Sequence, residues 1–149
     1  MDEERLIEEY SKEYNKLKDK TLATKPLSIT EVVEKLQRGD KDFSNARIVG
    51  IDWAGRNLSG FNFKNSILEW VRFTNCKLIG TNFSNAHIDW VIFSYADLTE
   101  ANFEGADVWD ASFDSAILNA TNFKRANLRW VLFANANTHA ADFTGSVKF

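Results

Sequence analysis

Several residue types and sequence features that indicate a particular class of function are scarce or absent in this chain. It contains one cysteine, Cys76, and one proline, Pro26, among 149 residues, and only two histidines, His87 and His139. A single cysteine excludes an internal disulfide framework, which is compatible with a reducing compartment. No apolar run approaches membrane-spanning length, and the charged residues 1–5 do not read as a secretion signal. We therefore expect a cytoplasmic protein that has no contact with membrane.

The chain also lacks a strong excess of either charge. Its formal net charge is −3, so it does not present the basic surface of a nucleic-acid-binding protein. With 44% hydrophobic and 13% aromatic residues it is not a disordered chain, and its length suits one domain. We expect no direct nucleic-acid binding.

A repeat of five residues dominates the chain from Phe43 to Phe143. Twenty of the twenty-one residues at this spacing are apolar, from Phe43, Ile48 and Trp53 through to Phe133, with Thr138 the exception before Phe143. The residue two positions before each of these centres is Ala in ten cases and Val, Thr, Ser or Cys in seven. A period of five fits neither a helix nor a simple strand. It indicates short extended segments, each followed by a turn.

The turn residues and a longer period indicate how the segments are arranged. The six glycines of this region all lie two residues after a centre, where five asparagines also occur, and both residue types tolerate positive φ. Trp70, Trp90 and Trp130 lie at the same phase of a twenty-residue period, which favours four sides per coil. The asparagines at 62, 82, 102 and 122 should form a ladder, bonded to one another or to backbone between coils.

Several five-residue units resemble those of pentapeptide-repeat proteins. Ala96–Glu100, Ala101–Gly105, Ala126–Trp130 and Ala141–Gly145 follow the pattern A(D/N)LXX of that family. The resemblance implies an all-β solenoid, a right-handed quadrilateral β-helix of about five coils. The departures at Lys41, Ile51, Arg56 and Phe61 fall at the start of the repeat, where irregular terminal units are expected.

The residues before the repeat predict two α-helices. We divide the chain into an N-terminal helical segment, 1–40, and the pentapeptide-repeat β-helix, 41–149. In the first segment a helix over 3–20 carries an apolar seam of Leu6, Ile7, Tyr10, Tyr14 and Leu17, and residues 21–27 form a linker. Ser28 and Glu31 then form a capping-box pattern for a second helix over 29–38, which should cover the first coil.

Aligned tryptophans at outward positions make the first candidate site. Several large apolar residues on one side form a patch that soluble monomers rarely leave uncovered. Three alternatives could cover it: the helix over 3–20, a second copy of the chain, or a different protein. The candidate protein-contact surface consists of Trp70, Trp90, Ile92, Trp109, Trp130 and Leu132. The leading hypothesis is a non-catalytic solenoid that acts as a protein-interaction or structural module.

A run of acidic residues supplies the alternative function. Between residues 89 and 114 the chain has seven acids and no Lys or Arg: Asp89, Asp97, Glu100, Glu104, Asp107, Asp110 and Asp114. The resemblance implies that an acidic rod can mimic DNA and bind a type II topoisomerase, as some members of the family do. On a four-sided coil, however, these acids are expected to form a girdle, and basic residues lie before and after them.

Nothing in the sequence predicts catalysis. His87 and His139 fall on different sides of the expected column, so they cannot share a metal ion or a catalytic role. The glycines follow the five-residue period and do not form a phosphate-binding loop. We expect no catalytic residues, metal, cofactor or small-molecule substrate.

Overall fold

The computed structural model describes residues 3–148, except for the side chains of Glu3, Leu6, Tyr10, Leu17 and Leu22. Two N-terminal helices, α1 (Glu3–Ala23) and α2 (Ile29–Gln37), precede a parallel β-solenoid of about five turns. Helix α1 extends three residues beyond the predicted end at residue 20, and α2 ends one residue before the predicted end at 38. Leu6, Tyr10 and Leu17 of the predicted seam lie outside the described side chains.

Helix α2 covers the first coil, and its sequence explains how. Ser28 caps it, with its Oγ accepting a hydrogen bond of 3.1 Å from the Glu31 backbone N–H. Val32 is 2% exposed and belongs to the same core as Phe43, and Lys35 Nζ lies 5.1 Å from the centre of the Phe43 ring. The division of the chain at residue 40 stays a prediction.

Six short strands stack on one side of the solenoid, in chain order and in parallel. Each residue pairs with the residue twenty positions further along, as Ile48 does with Leu68, so four five-residue sides make one turn. Bridges on the other sides have the same offset. The strands are β1 (Arg47–Val49), β2 (Ile67–Glu69), β3 (His87–Asp89), β4 (Asp107–Trp109), β5 (Asn127–Arg129) and β6 (Val147–Lys148).

The repeat centres form the core of the column, which is dominated by phenylalanine on two opposite sides. Along each of these sides the rings stack, for example at 4.7 Å between the centroids of Phe83 and Phe103. Rings from the two sides meet edge to face, at 5.5 Å between Phe103 and Phe113. Aliphatic centres fill the other two sides, and Cys76 faces inward, with its Sγ 2.9 Å from the Trp53 carbonyl oxygen.

Every corner of the solenoid has the same backbone conformation. All twenty-one residues that follow a centre by two positions have positive φ, whether they are Gly, Asn or another residue. The outward Asn or Asp before many centres accepts a hydrogen bond from the backbone two residues ahead, as Asn82 Oδ1 does from the Ser84 N–H at 2.9 Å. The predicted asparagine ladder therefore bonds mainly within its own coil, although Asn122 Nδ2 also donates to Asn102 Oδ1 at 3.2 Å.

Candidate functional site

Helix α1 lies along the strand side of the solenoid. Near its C-terminal end, the Arg47 guanidinium donates to the carbonyl oxygens of Thr21 and Thr24 at 2.9 and 3.0 Å. Four coils further along, Arg129 pairs with Glu13 at 2.5 Å. These contacts hold the C-terminal half of the helix, from Glu13 to Thr21. They show that α1 packs against the solenoid of its own chain.

The tryptophans of the neighbouring corner stay largely exposed beside the helix. We define the Trp corner as Trp70, Trp90 and Trp130, which are 62, 49 and 58% exposed. The rings of Trp70 and Trp90 stack in parallel, with their centroids 5.1 Å apart and their planes 6° apart. Leu132 and Ile92, on the next side, are also exposed. Helix α1 therefore leaves about half or more of each of these three tryptophans exposed, because it follows the flat strand side beside the corner.

Trp109 differs from the other predicted contact residues because it lies on strand β4 and not at the corner. It is 6% exposed. Its Nε1–H donates to Asp107 Oδ1 at 2.9 Å, the Arg129 guanidinium lies 4.4 Å from the ring centre, and the Tyr14 ring of α1 lies 6.2 Å away. Trp109 is therefore a contact within the chain, and in this structure it is not part of an exposed surface.

A groove of about 360 Å³ separates α1 from the Trp corner. Helix α1 contributes Ser11 and Tyr14 to it, and the solenoid contributes three tryptophans and two carboxylates: Trp90, Trp109, Trp130, Asp89 and Asp110. Asp110 occupies the corner position between Trp90 and Trp130, with φ of 48°. Both aromatic rings and acidic side chains therefore line the groove.

The two carboxylates of the groove are partly buried. Burial raises the pKa of Asp89 above its ordinary value, the charge of His87 opposes this effect, and the charge of Asp110 adds to it. Burial also raises the pKa of Asp110. Within residues 3–148 the structure gives neither carboxylate a hydrogen bond or an ion pair. An uncompensated carboxylate in such surroundings is costly when ionised.

The structure distributes the remaining predicted acidic residues around the solenoid and engages most of them locally. Glu104 pairs with Arg125 and accepts from Asn122, and Asp97 accepts from both the N–H and the hydroxyl of Thr99. Asp114 accepts from the Ala134 N–H at 3.0 Å. Asp107 binds Trp109, and Glu100 is a corner residue with φ of 58°. These acids do not form a single face.

In residues 3–148, no group of three or more His, Cys, Asp or Glu side chains could hold a metal ion. His87 Nδ1 lies 3.6 Å from Asp107 Oδ2 beneath α1, whereas His139 lies in the last coil. Over the same part of the chain, no helix is both long enough and apolar enough to cross a membrane.

The groove was not predicted from the sequence. Asp110 was assigned to the acidic girdle, and Tyr14 to the seam of the first helix, without any relation between them. The available signal is the phase of twenty, which places Asp110 in the gap between Trp90 and Trp130. No comparable signal in the sequence indicates that residues of α1 line the groove, because the repeat does not extend into the helix.

Comparison with known families and structures yields the following similarities. The segments 42–80, 66–105, 81–119 and 92–129 match the sequence model described as pentapeptide repeats, in eight copies, and together they cover more than half of the chain. No curated protein sequence matches the chain significantly.

Among solved structures, the chain is similar to QnrB1, described as a plasmid-mediated fluoroquinolone resistance protein. The identity is 20% over 70% of this chain and 59% of that one, with a TM-score of 0.42. It is also similar to a pentapeptide repeat protein from the thylakoid lumen of Arabidopsis thaliana, with 28% identity over 71% and 64% and a TM-score of 0.32. This chain spans less than two thirds of the length of both proteins.

A third similar structure is HetL from the cyanobacterium Nostoc, which is involved in heterocyst differentiation regulation. Here the identity is 14% over 82% of this chain and 97% of that one, and the TM-score is 0.31.

Proposed function

Because this chain belongs to the pentapeptide-repeat family, we propose that it is a non-catalytic interaction module that binds a protein through the Trp corner. Proteins of this family are typically structural or interaction modules. The contact surface consists of Trp70, Trp90 and Trp130 with Leu132 and Ile92 beside them. The first candidate partner is a second copy of the chain, and the second is a different protein. A cytoplasmic location stays a prediction.

One observation carries this proposal: the chain places tryptophan where folding alone favours glycine or asparagine. Trp70, Trp90 and Trp130 have φ of 56, 53 and 52°, a left-handed conformation that costs a residue with a side chain about 1–2 kcal/mol. Gly50 occupies the equivalent position of the first coil. The three side chains remain about half exposed or more, so burial offsets little of this cost. A partner bound over these three side chains would remove them from water and so offset the cost of their conformation.

Replacing the Trp corner by glycine tests this function. In the variant Trp70→Gly/Trp90→Gly/Trp130→Gly, relief of the left-handed strain and the entropy cost of glycine oppose each other. We therefore expect each substitution to change the free energy of unfolding by no more than about 1 kcal/mol. Tyr95→Gly is the matched control, since Tyr95 is 64% exposed and has φ of 62° at a different corner.

Light scattering and affinity capture are the measurements. If the partner is a second copy, the wild type and Tyr95→Gly are dimers and the triple variant is a monomer. If it is another protein, the wild type and the control retain the same protein, which the triple variant loses. Equal mass and equal capture for all three proteins, each with a native circular dichroism spectrum, would refute the proposal.

The alternative function, binding to a type II topoisomerase by DNA mimicry, depends on acids repeated along one face. The arrangement of Asp89, Asp97, Glu104 and Asp114 on different sides does not favour it, nor does the pairing of Glu104 with Arg125. We therefore rank it second. A DNA supercoiling assay with a type II topoisomerase tests it directly, and no change in supercoiling at a large excess of this protein would exclude it.

A further inference from the structure

The replacement of one tryptophan by aspartate opens a gap in the Trp corner. Equivalent residues of successive coils are about 4.8 Å apart, so the backbones of Trp90 and Trp130 are separated by about 9.6 Å, with Asp110 between them. Trp70 stacks on the ring face of Trp90 that points towards the N-terminal coil. The opposite face of Trp90 is therefore directed to the gap. Trp130 meets Trp109 edge to face at 5.9 Å, which makes Trp109 the inner wall.

The charge of the gap is negative and uncompensated. Asp110 lies between the two rings, and Asp89 lines the same groove beneath them. Both carboxylates have their pKa raised by burial, and neither forms a hydrogen bond or ion pair with the part of the chain that the structure describes. A bound cation would stabilise the ionised carboxylates, which burial deprives of hydration. A bound anion would instead raise the free-energy cost of their ionisation.

The size of the gap and the chemistry of its walls limit the kinds of cation that it can bind. A cation beside Asp110 in this gap would face the rings of Trp90 and Trp130, and an aromatic face attracts a cation within about 6 Å of its centre. A quaternary ammonium group has no N–H to satisfy and presents methyl groups to the aromatic walls. A primary ammonium is a strongly hydrated point charge, so it gives up more hydration than a quaternary ammonium when it enters a groove lined by three tryptophans.

From these observations we propose that the groove between α1 and the Trp corner binds a quaternary ammonium group, of the kind carried by choline and by a trimethylated lysine side chain. This site goes beyond the proposed protein-contact function, with which it shares Trp90 and Trp130. The chain already contains one cation–π contact beside this groove, because the Arg129 guanidinium lies over the Trp109 ring. The open groove leaves room for the remainder of the ligand to extend into solvent.

Titration of the full chain, followed by NMR of the tryptophan indole N–H groups, tests this site. The first pair of ligands is choline and 3,3-dimethylbutan-1-ol, which has the same shape without the charge. We expect choline to bind at least about tenfold more tightly than the neutral alcohol and to shift the Trp90 and Trp130 signals. Equal binding of both, or no shift at any indole at saturating choline, would overturn the proposal.

A second pair of ligands identifies the source of the group. These are the amides of Nα-acetyl-Nε-trimethyllysine and of unmethylated Nα-acetyllysine. Tighter binding of the trimethylated amide than of choline would assign the site to a modified side chain, and the reverse would assign it to a free choline-type compound. Preference for the unmethylated amide would contradict the choice of a quaternary group.

Three variants locate the binding within the groove. Asp110→Asn keeps the side-chain shape and removes the charge, and Trp130→Leu removes one wall; each should weaken choline binding about fivefold or more. Trp70→Leu is the control, because Trp70 lies in the same corner but outside the gap, and its affinity for choline should be unchanged. Unchanged affinity in both groove variants would refute the site. Asp110→Asn also retains the apolar contact surface, so loss of choline binding and loss of protein binding are distinguishable.

Discussion

Ladders of aromatic rings run along this solenoid both inside it, at the repeat centres, and outside it, at the Trp corner. Phe83 and Phe103 stack inside with centroids 4.7 Å apart and planes 13° apart, whereas Trp70 and Trp90 stack outside at 5.1 Å and 6°. The ring geometry is nearly the same because the spacing of the coils sets it in both cases. The surroundings are opposite, since both phenylalanines are fully buried and both tryptophans are about half exposed or more.

The difference shows that stacking and stabilisation are separate properties in this fold. The inner rings lose contact with water on all sides and are held at repeat centres, whereas the outer rings are held at left-handed corners. Removal of apolar area from water is the larger energetic contribution, and stacking adds about 0.5–1.5 kcal/mol to it. The outer ladder therefore contributes little to folding, which is why we assign it to recognition.

The largest expected effect follows from truncating one ring in each ladder. Phe103→Ala should destabilise the protein by about 3–5 kcal/mol, because it removes a fully buried ring and leaves a cavity in the column. Trp90→Ala should cost about 1 kcal/mol or less, since it removes mainly one exposed stacking contact. Urea unfolding of both variants measures the two free energies. Similar losses in the two variants would contradict the distinction between inner and outer ladders.

Trp109 provides an intermediate case, an outward residue that α1 has covered. Trp109→Ala should cost about 1.5–3 kcal/mol, because the ring is nearly buried between Arg129, Asp107 and Tyr14. The loss should be concentrated in α1. Hydrogen exchange should therefore accelerate in the helix and stay unchanged in the inner strands. Tyr95→Ala, at an exposed corner remote from α1, is the control, and a uniform acceleration through the solenoid would show that Trp109 supports the core instead.

The smallest effect concerns the acids of the groove and depends on pH. Because burial raises the pKa of Asp89, ionisation in the folded state costs more than in the unfolded state, and stability falls as pH rises through the folded pKa. The charged or titratable groups around it are His87, Glu69, Asp107 and Asp110, with Lys18 from α1. Asp89→Asn should therefore raise the melting temperature at pH 7, and the gain should disappear below about pH 4, where both states bind the proton.

Asp142→Asn is a control of opposite sign for this experiment. Hydrogen bonds from Thr144 lower the pKa of Asp142, so its charged form favours the folded state above the unfolded pKa, and this contribution is lost as pH falls through the folded pKa. The variant should lower the melting temperature at pH 7. A higher melting temperature for Asp142→Asn, or a gain for Asp89→Asn that persists at low pH, would show that another effect dominates.

The fold could be predicted from the sequence because the repeat is local and uninterrupted. Each five-residue unit supplies its own inward centre, its own corner and, in many cases, an Asn or Asp that bonds the backbone two residues ahead. The spacing of Trp70, Trp90 and Trp130 indicated four sides, and the register between β1 and β2 agrees with it. The capping helix could also be predicted from local signals, because Ser28 caps α2 and Val32 follows on its buried face.

The sequence by itself thus determined the solenoid, its corners and the outward position of the Trp corner, since all three follow from positions within a short period. Only the tertiary structure decided where α1 lies, that Trp109 is covered, and that a groove joins Tyr14 to Asp110. The physical reason is the range of the contacts involved. Glu13 and Arg129 are 116 residues apart, and no periodicity relates a helix to the side of the solenoid on which it packs.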